Sequence, residues 1–117
     1  MNMALVQITT VQGNVPVTVF QIQDRVNLGN YKELEETAKK AYEDGMRDLV
    51  IDLSMSDSLT SIGIRALVVI HKMLSTENGK HLKLTGIKPP IHDMLQVAGI
   101  TQFIEIYDSV EDAVASF

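Results

Sequence analysis

Two segments near the start of the chain, LVQITTVQ (4–11) and VPVTVFQI (15–22), alternate apolar and polar positions and are rich in β-branched residues. That pattern predicts two strands, and Gly13-Asn14 between them predicts a hairpin turn. QDRVNLGN (23–30) reads as a loop. The spacing then changes. Tyr31, Leu34, Ala38, Ala41 and Tyr42 recur on one helical stripe with charges opposite, so a helix is predicted from a cap at Asn30 to about Glu43, ended by Gly45. RDLVIDL (47–53) is a continuous apolar run, typical of a buried strand. A second helix is predicted over 61–75. A turn and strand follow over 78–87 (NGKHLKLTGI). Pro89 and Pro90 suit the first turn of a third helix, which Gly99 closes. TQFIEIY (101–107) reads as a last strand. SVEDAVASF (109–117) reads as a last helix, with Ser109 as its cap and Glu111 and Asp112 at its positive end.

The resulting order, ββαβαβαβα, predicts one α/β domain over residues 1–117. Its sheet should be mixed but mostly parallel, with the helices packed against it. In such sheets, sites lie beyond the carboxyl ends of the strands. The loop 54–60 follows the buried strand and holds Ser54, Ser56, Asp57, Ser58 and Thr60, so it occupies that position.

On the helix after this loop, Ile62, Ala66, Leu67, Val69, Ile70, Met73 and Leu74 fill one broad arc, with Gly63 inside it as a point of close approach. The other arc carries Ser61, Arg65, His71, Lys72 and Ser75, interrupted by Ile64 and Val68. Ser61, Arg65, Val68 and Lys72 stand in one row. Ile64 and Val68 read either as ordinary surface hydrophobes or as the apolar part of a docking face with a basic rim. Ser61 reads as the N-cap, a contribution of about 1 kcal/mol. A phosphate is also best tolerated there, because the helix dipole favours an anion.

Composition narrows the function. The chain has 117 residues with 45% apolar side chains, enough for a folded core. The net charge is −5, the basic residues are scattered and aromatic residues are few, so nucleic acid is not an expected partner. No cysteine rules out disulfides and thiol nucleophiles. No segment reads as a signal peptide or membrane span, so a cytoplasmic protein without direct membrane insertion is expected.

Catalytic signals are weak. His71, His81 and His92 have no metal-ligand spacing, so no metal or cofactor is expected. Asp52 and Asp57 could form an acid/base pair, but aspartate is also a common turn former. No phosphate-binding glycine loop or nucleophile elbow is present. A non-enzymatic protein is the better reading.

The stretch VIDLSMSDSLTSIGIRAL resembles the strand–loop–helix signature of STAS domains, in their anti-sigma factor antagonist branch. Asp52-Leu53-Ser54 match its first part and Thr60-Ser61-Ile62-Gly63-Ile64 its second. LKLTGIKPPIHDMLQVAGI and FIEIYDSVEDAVASF are similar to the family's later elements. The resemblance implies a switch protein with no cofactor. Unphosphorylated, such a protein binds an anti-sigma factor, often itself a serine kinase, and phosphorylation of the Ser at the helix start ends the binding. By position that residue is Ser61, with Thr60 as a second candidate acceptor. The implied partner surface is Asn27, Ser58, Thr60, Ser61, Ile64, Arg65, Val68 and Lys72. Thr60 and Asn27 stand where the family usually carries acidic residues, which removes negative charge beside Ser61. The same fold also serves as an unphosphorylated scaffold in stress-signalling complexes and as an accessory subunit of lipid-transporting ABC systems. A small-anion-binding domain is the alternative from a different class.

Overall fold

Five strands form one sheet in the order β1-β2-β3-β4-β5, in a computed structural model describing residues 4–75 and 80–117. The strands are β1 (Val6–Gln12), β2 (Pro16–Ile22), β3 (Leu49–Asp52), β4 (Leu82–Thr85) and β5 (Glu105–Tyr107). The helices are α1 (Tyr31–Glu43), α2 (Ser61–Leu74), α3 (Pro89–Val97) and α4 (Val110–Ala115). β1 and β2 pair antiparallel and every later neighbour pairs parallel. The turn expected at 78–79 lies outside the described residues.

Each parallel pair joins consecutive strands, so right-handed crossovers carry α1, α2 and α3 over the same face. Strand alternation divides the core accordingly. Phe20, Ile22, Leu49, Ile51, Leu82 and Leu84 pack with Leu34, Ala66, Leu67, Ile70, Ile91 and Leu95 in the larger cluster. Val17, Val19 and Val50 face the other way, under Ala113 and Val114 of α4. The hairpin tip closes on α4. A Cβ at Gly13 would meet Val114 Cγ1 at 2.8 Å, so that position needs glycine for space.

A buried cation anchors α4. The Lys83 side chain is only 6% exposed. Its Nζ donates to Ser116 Oγ at 2.6 Å and to the Ser116 carbonyl at 3.1 Å. It also meets Glu105 Oε1 at 3.3 Å and lies over the Phe117 ring at 4.2 Å. A lysine between two buried leucines of β4 thus supports the chain's last turn, and its charge is paired rather than stranded.

Two local expectations need correction. Residues 101–107 do not form one strand: Ile100–Gln102 make a 3-10 turn, and only Glu105–Tyr107 are extended. Ile100 and Ile104 are both buried, and a spacing of four suits a helical turn rather than alternation. Asn30 precedes α1 without a side-chain capping bond. Its Oδ1 accepts from the Asn27 backbone N–H at 2.7 Å and its amide donates to the Arg25 carbonyl at 3.0 Å, shaping the loop before the helix instead.

Candidate functional site

The loop 54–60 leaves β3 at the carboxyl end of the sheet. Asp52 Oδ1 accepts from the Ser54 N–H at 2.9 Å and starts the turn. Its hydroxyls then divide into two kinds. Ser56 is buried and Thr60 half-buried, and both bond to the loop between β2 and α1. Ser56 Oγ donates to the Asp24 carbonyl at 3.2 Å, and Thr60 Oγ1 donates to the Val26 carbonyl at 2.6 Å. These two bonds stitch the loops together. Ser54, Ser58 and Ser61 are exposed.

Thr60, not Ser61, is the N-cap of α2, because its Oγ1 also accepts from the Gly63 N–H at 3.1 Å. Two adjacent hydroxyls could each cap this helix. Thr60 takes the role because its side chain bridges the helix start and the Val26 carbonyl at once. Ser61 becomes the first helical residue and stays exposed. The close approach expected at Gly63 is present: a Cβ there would meet Leu59 Cδ1 at 2.7 Å and Val26 Cβ at 3.3 Å.

Thr60→Val, which removes the cap and the bridge to Val26 but keeps the shape, is expected to cost about 1–2 kcal/mol in chemical denaturation. Ser58→Ala, at an exposed hydroxyl, is expected to stay within about 0.5 kcal/mol.

The outward face of α2 differs from the expected row. Ser61, Arg65, Val69 and Lys72 are exposed. Val69, assigned above to the buried arc, is 41% exposed. Ile64 and Val68 are half-buried and pack against the main core. The reason lies in the neighbours. α2 packs along α1 and also lays His71 against Phe103, with ring centroids 4.9 Å apart, so its covered arc is shifted from the one periodicity suggests. The face keeps its basic rim and one apolar residue, with Val69 in place of Ile64 and Val68.

Asn27 belongs to the loop that Thr60 and Ser56 hold, one residue after the Val26 carbonyl. Its Oδ1 is occupied by the Gly29 N–H at 2.8 Å. Leu28 and Met55, on the two stitched loops, are 78% and 56% exposed and were absent from the expected surface. The sequence does not separate them from Val26 and Leu59, the other large apolar residues of the same two loops, which are buried. Asp57 reaches Lys88, at the start of α3, with Nζ to Oδ1 at 2.6 Å. The Lys88 hydrogen bond and charge hold the Asp57 carboxyl below its usual range.

Nothing joins Asp52 and Asp57 into a catalytic pair. The first is committed to Ser54 and the second to Lys88. The histidines also stand apart. His81 Nδ1 pairs with Asp48 at 2.8 Å at the opposite end of β4, while His92 is exposed on α3. Burial, and then the nearby Lys72 charge, lower the pKa of His71. Among the described residues no group of three His, Cys, Asp or Glu could hold a metal, and no helix is long and apolar enough to cross a membrane.

The STAS domain pattern matches residues 7–113. The chain belongs to the STAS domain family. This STAS domain is 29% identical over 96 residues to BtrV of Bordetella bronchiseptica, named as a candidate anti-sigma factor antagonist; the match spans 82% of each chain. A candidate anti-sigma factor antagonist of Thermotoga maritima has the same fold, with a TM-score of 0.85, 18% identity, and 95% and 92% of the two chains covered. The unphosphorylated anti-sigma factor antagonist SpoIIAA superposes with a TM-score of 0.67 at 13% identity, over 92% and 91% of the chains.

Proposed function

We propose that this STAS domain is an anti-sigma factor antagonist that acts without catalysis, by binding an anti-sigma factor that is itself a serine kinase. The contact surface comprises the stitched loops, with Asn27, Leu28, Met55 and Ser58, and the outward row of Ser61, Arg65, Val69 and Lys72. Thr60, Ile64 and Val68 support that row from below. Phosphorylation of Ser61 ends the binding.

One observation carries this reading. The capping hydroxyl and the exposed hydroxyl are on different residues, Thr60 and Ser61. A phosphate on Ser61 therefore leaves the cap and the bond to Val26 intact. It adds about −1.5 to −2 charges at the positive end of the helix, one turn from Arg65. That offsets the two positive charges of the row, Arg65 and Lys72, while the fold persists. A phosphate on Thr60 would instead remove the proton that its hydroxyl donates to the Val26 carbonyl and so break that stitch between the loops. The name of BtrV and the fold shared with SpoIIAA support the same reading.

Incubation with the kinase partner and ATP, followed by mass spectrometry, tests it. One phosphate on Ser61 is the expected product. A phosphate on Thr60, or none while the partner binds, overturns the switch.

A further inference from the structure

Every Asp, Glu, Lys and Arg of this chain lies at or after Asp24. The whole β1–β2 hairpin is therefore uncharged in a protein of net charge −5. β1 is also an edge of the sheet, paired only with β2 among the described residues. Residues 7–12 are all exposed; Ile8 is 50% and Val11 37% accessible. Edge strands are normally guarded by charge, proline or a bulge. β1, with the sequence VQITTVQ, carries no charge or proline and pairs residue for residue with β2.

The direction of its free backbone groups follows from the register. The Leu5 carbonyl accepts from the Gln23 N–H at 2.7 Å. In an antiparallel pair such bonds recur at alternate residues, so Gln7, Thr9 and Val11 also bond toward β2. The Thr18 N–H agrees, since it bonds the opposite way, to the Asp48 carbonyl at 3.0 Å, and Thr18 sits opposite Thr10. Val6, Ile8, Thr10 and Gln12 therefore direct their N–H and C=O groups outward from the sheet edge.

We propose that this edge is the contact between two copies of the chain, with the β1 strands paired antiparallel about a two-fold axis at Thr9. In that register Val6 meets Gln12 of the second copy and Ile8 meets Thr10, so all the outward backbone groups find partners. Thr9 faces its own counterpart, a favourable cross-strand pair. The Ile8 side chains come together on one face of the joined sheet, and Val11 meets Gln7 on the other. The second copy is the occupant that charge selects. Two chains of net charge −5 repel, and the hairpin itself brings no charge to the contact; beside Ile8 and Thr10 the groove is lined by Lys40, Asp44, Arg47 and Asp48, two of each sign. The two-fold closes the assembly, because each chain uses its β1 edge once. The opposite edge, β5, is only three residues long and carries Glu105, already paired with Lys80 and Lys83.

Sedimentation velocity on the full chain, over a wide concentration range, tests the pairing together with amide exchange. A reversible dimer is expected at high concentration, with the amides of Val6, Ile8, Thr10 and Gln12 slowed only there. Thr9→Lys places like charges opposite each other and is expected to weaken association at least about tenfold. Thr9 is exposed, so the melting temperature should hardly move. Thr9→Glu acts alike and covers the case in which the lysine variant fails to fold, while mixing the two variants restores the dimer. A monomer at every concentration, or a dimer indifferent to Thr9→Lys, overturns the proposal. Protection of those amides only when a different protein is added also overturns it.

Discussion

Ser61→Asp is expected to weaken binding of the anti-sigma factor at least about tenfold, while Ser61→Ala leaves it within about twofold. The asymmetry follows from the position of the side chain. Ser61 is the first residue of α2, with Thr60 already in the capping role, so alanine removes no cap. Aspartate keeps the fold too, because a carboxylate in the first turn suits the helix dipole. It places a negative charge in the exposed row of Arg65, Val69 and Lys72, where the proposed partner docks. Titration calorimetry, with thermal melts showing all three proteins equally folded, checks this. If aspartate and alanine bind alike, the switch is wrong even if the surface is right. Binding by wild type that depends on neither Arg65 nor Lys72 removes the surface itself.

Gly86→Ala is expected to cost about 2–4 kcal/mol, the largest loss from one added methyl among the described glycines. Two penalties combine at this position. Gly86 has φ +71, in the left-handed region that side chains avoid. A Cβ there would also press on Asp52 Oδ1 and approach the Ser54 N–H at 2.6 Å, the two groups that start the loop 54–60. Gly99→Ala separates the penalties. Its φ is +79, but nothing lies within 4 Å of a Cβ, so only the backbone cost of about 1–2 kcal/mol remains. Urea denaturation of both variants measures the difference. Equal losses would mean that crowding against Asp52 contributes nothing. Because the disturbed turn leads into Ser56 and Thr60, Gly86→Ala should also weaken partner binding beyond its effect on stability.

The hydrophobic pattern determined the order of elements, the parallel sheet and the placement of loop 54–60 at its carboxyl end. Those properties depend on periodicity, which is local: β-branched alternation around Phe20 and Ile22, and the helical stripe of Leu34 and Ala38, each specify one buried face. Strand 101–107 was misread because Ile100 and Ile104 share a helical spacing inside a segment of strand-like composition. The loop and helix of the candidate site were legible in outline for the same reason, since a hydroxyl-rich loop entering an apolar helix is a local feature.

What only the tertiary structure decided is how those faces meet residues distant in sequence. Thr60 and Ser61 are equally able to cap α2. The Val26 carbonyl, from a loop more than a helix away along the chain, gives the role to Thr60 and leaves Ser61 to solvent. Periodicity set the width of the apolar arc of α2, but α1 and Phe103 set its direction, turning Val69 out and drawing Ile64 and Val68 in. The exposure of Leu28 and Met55, and the burial of Lys83 beneath Phe117, have the same origin. A residue's own type limits what it can do; its neighbours across the fold, which local spacing does not encode, fix whether its side chain meets protein or water.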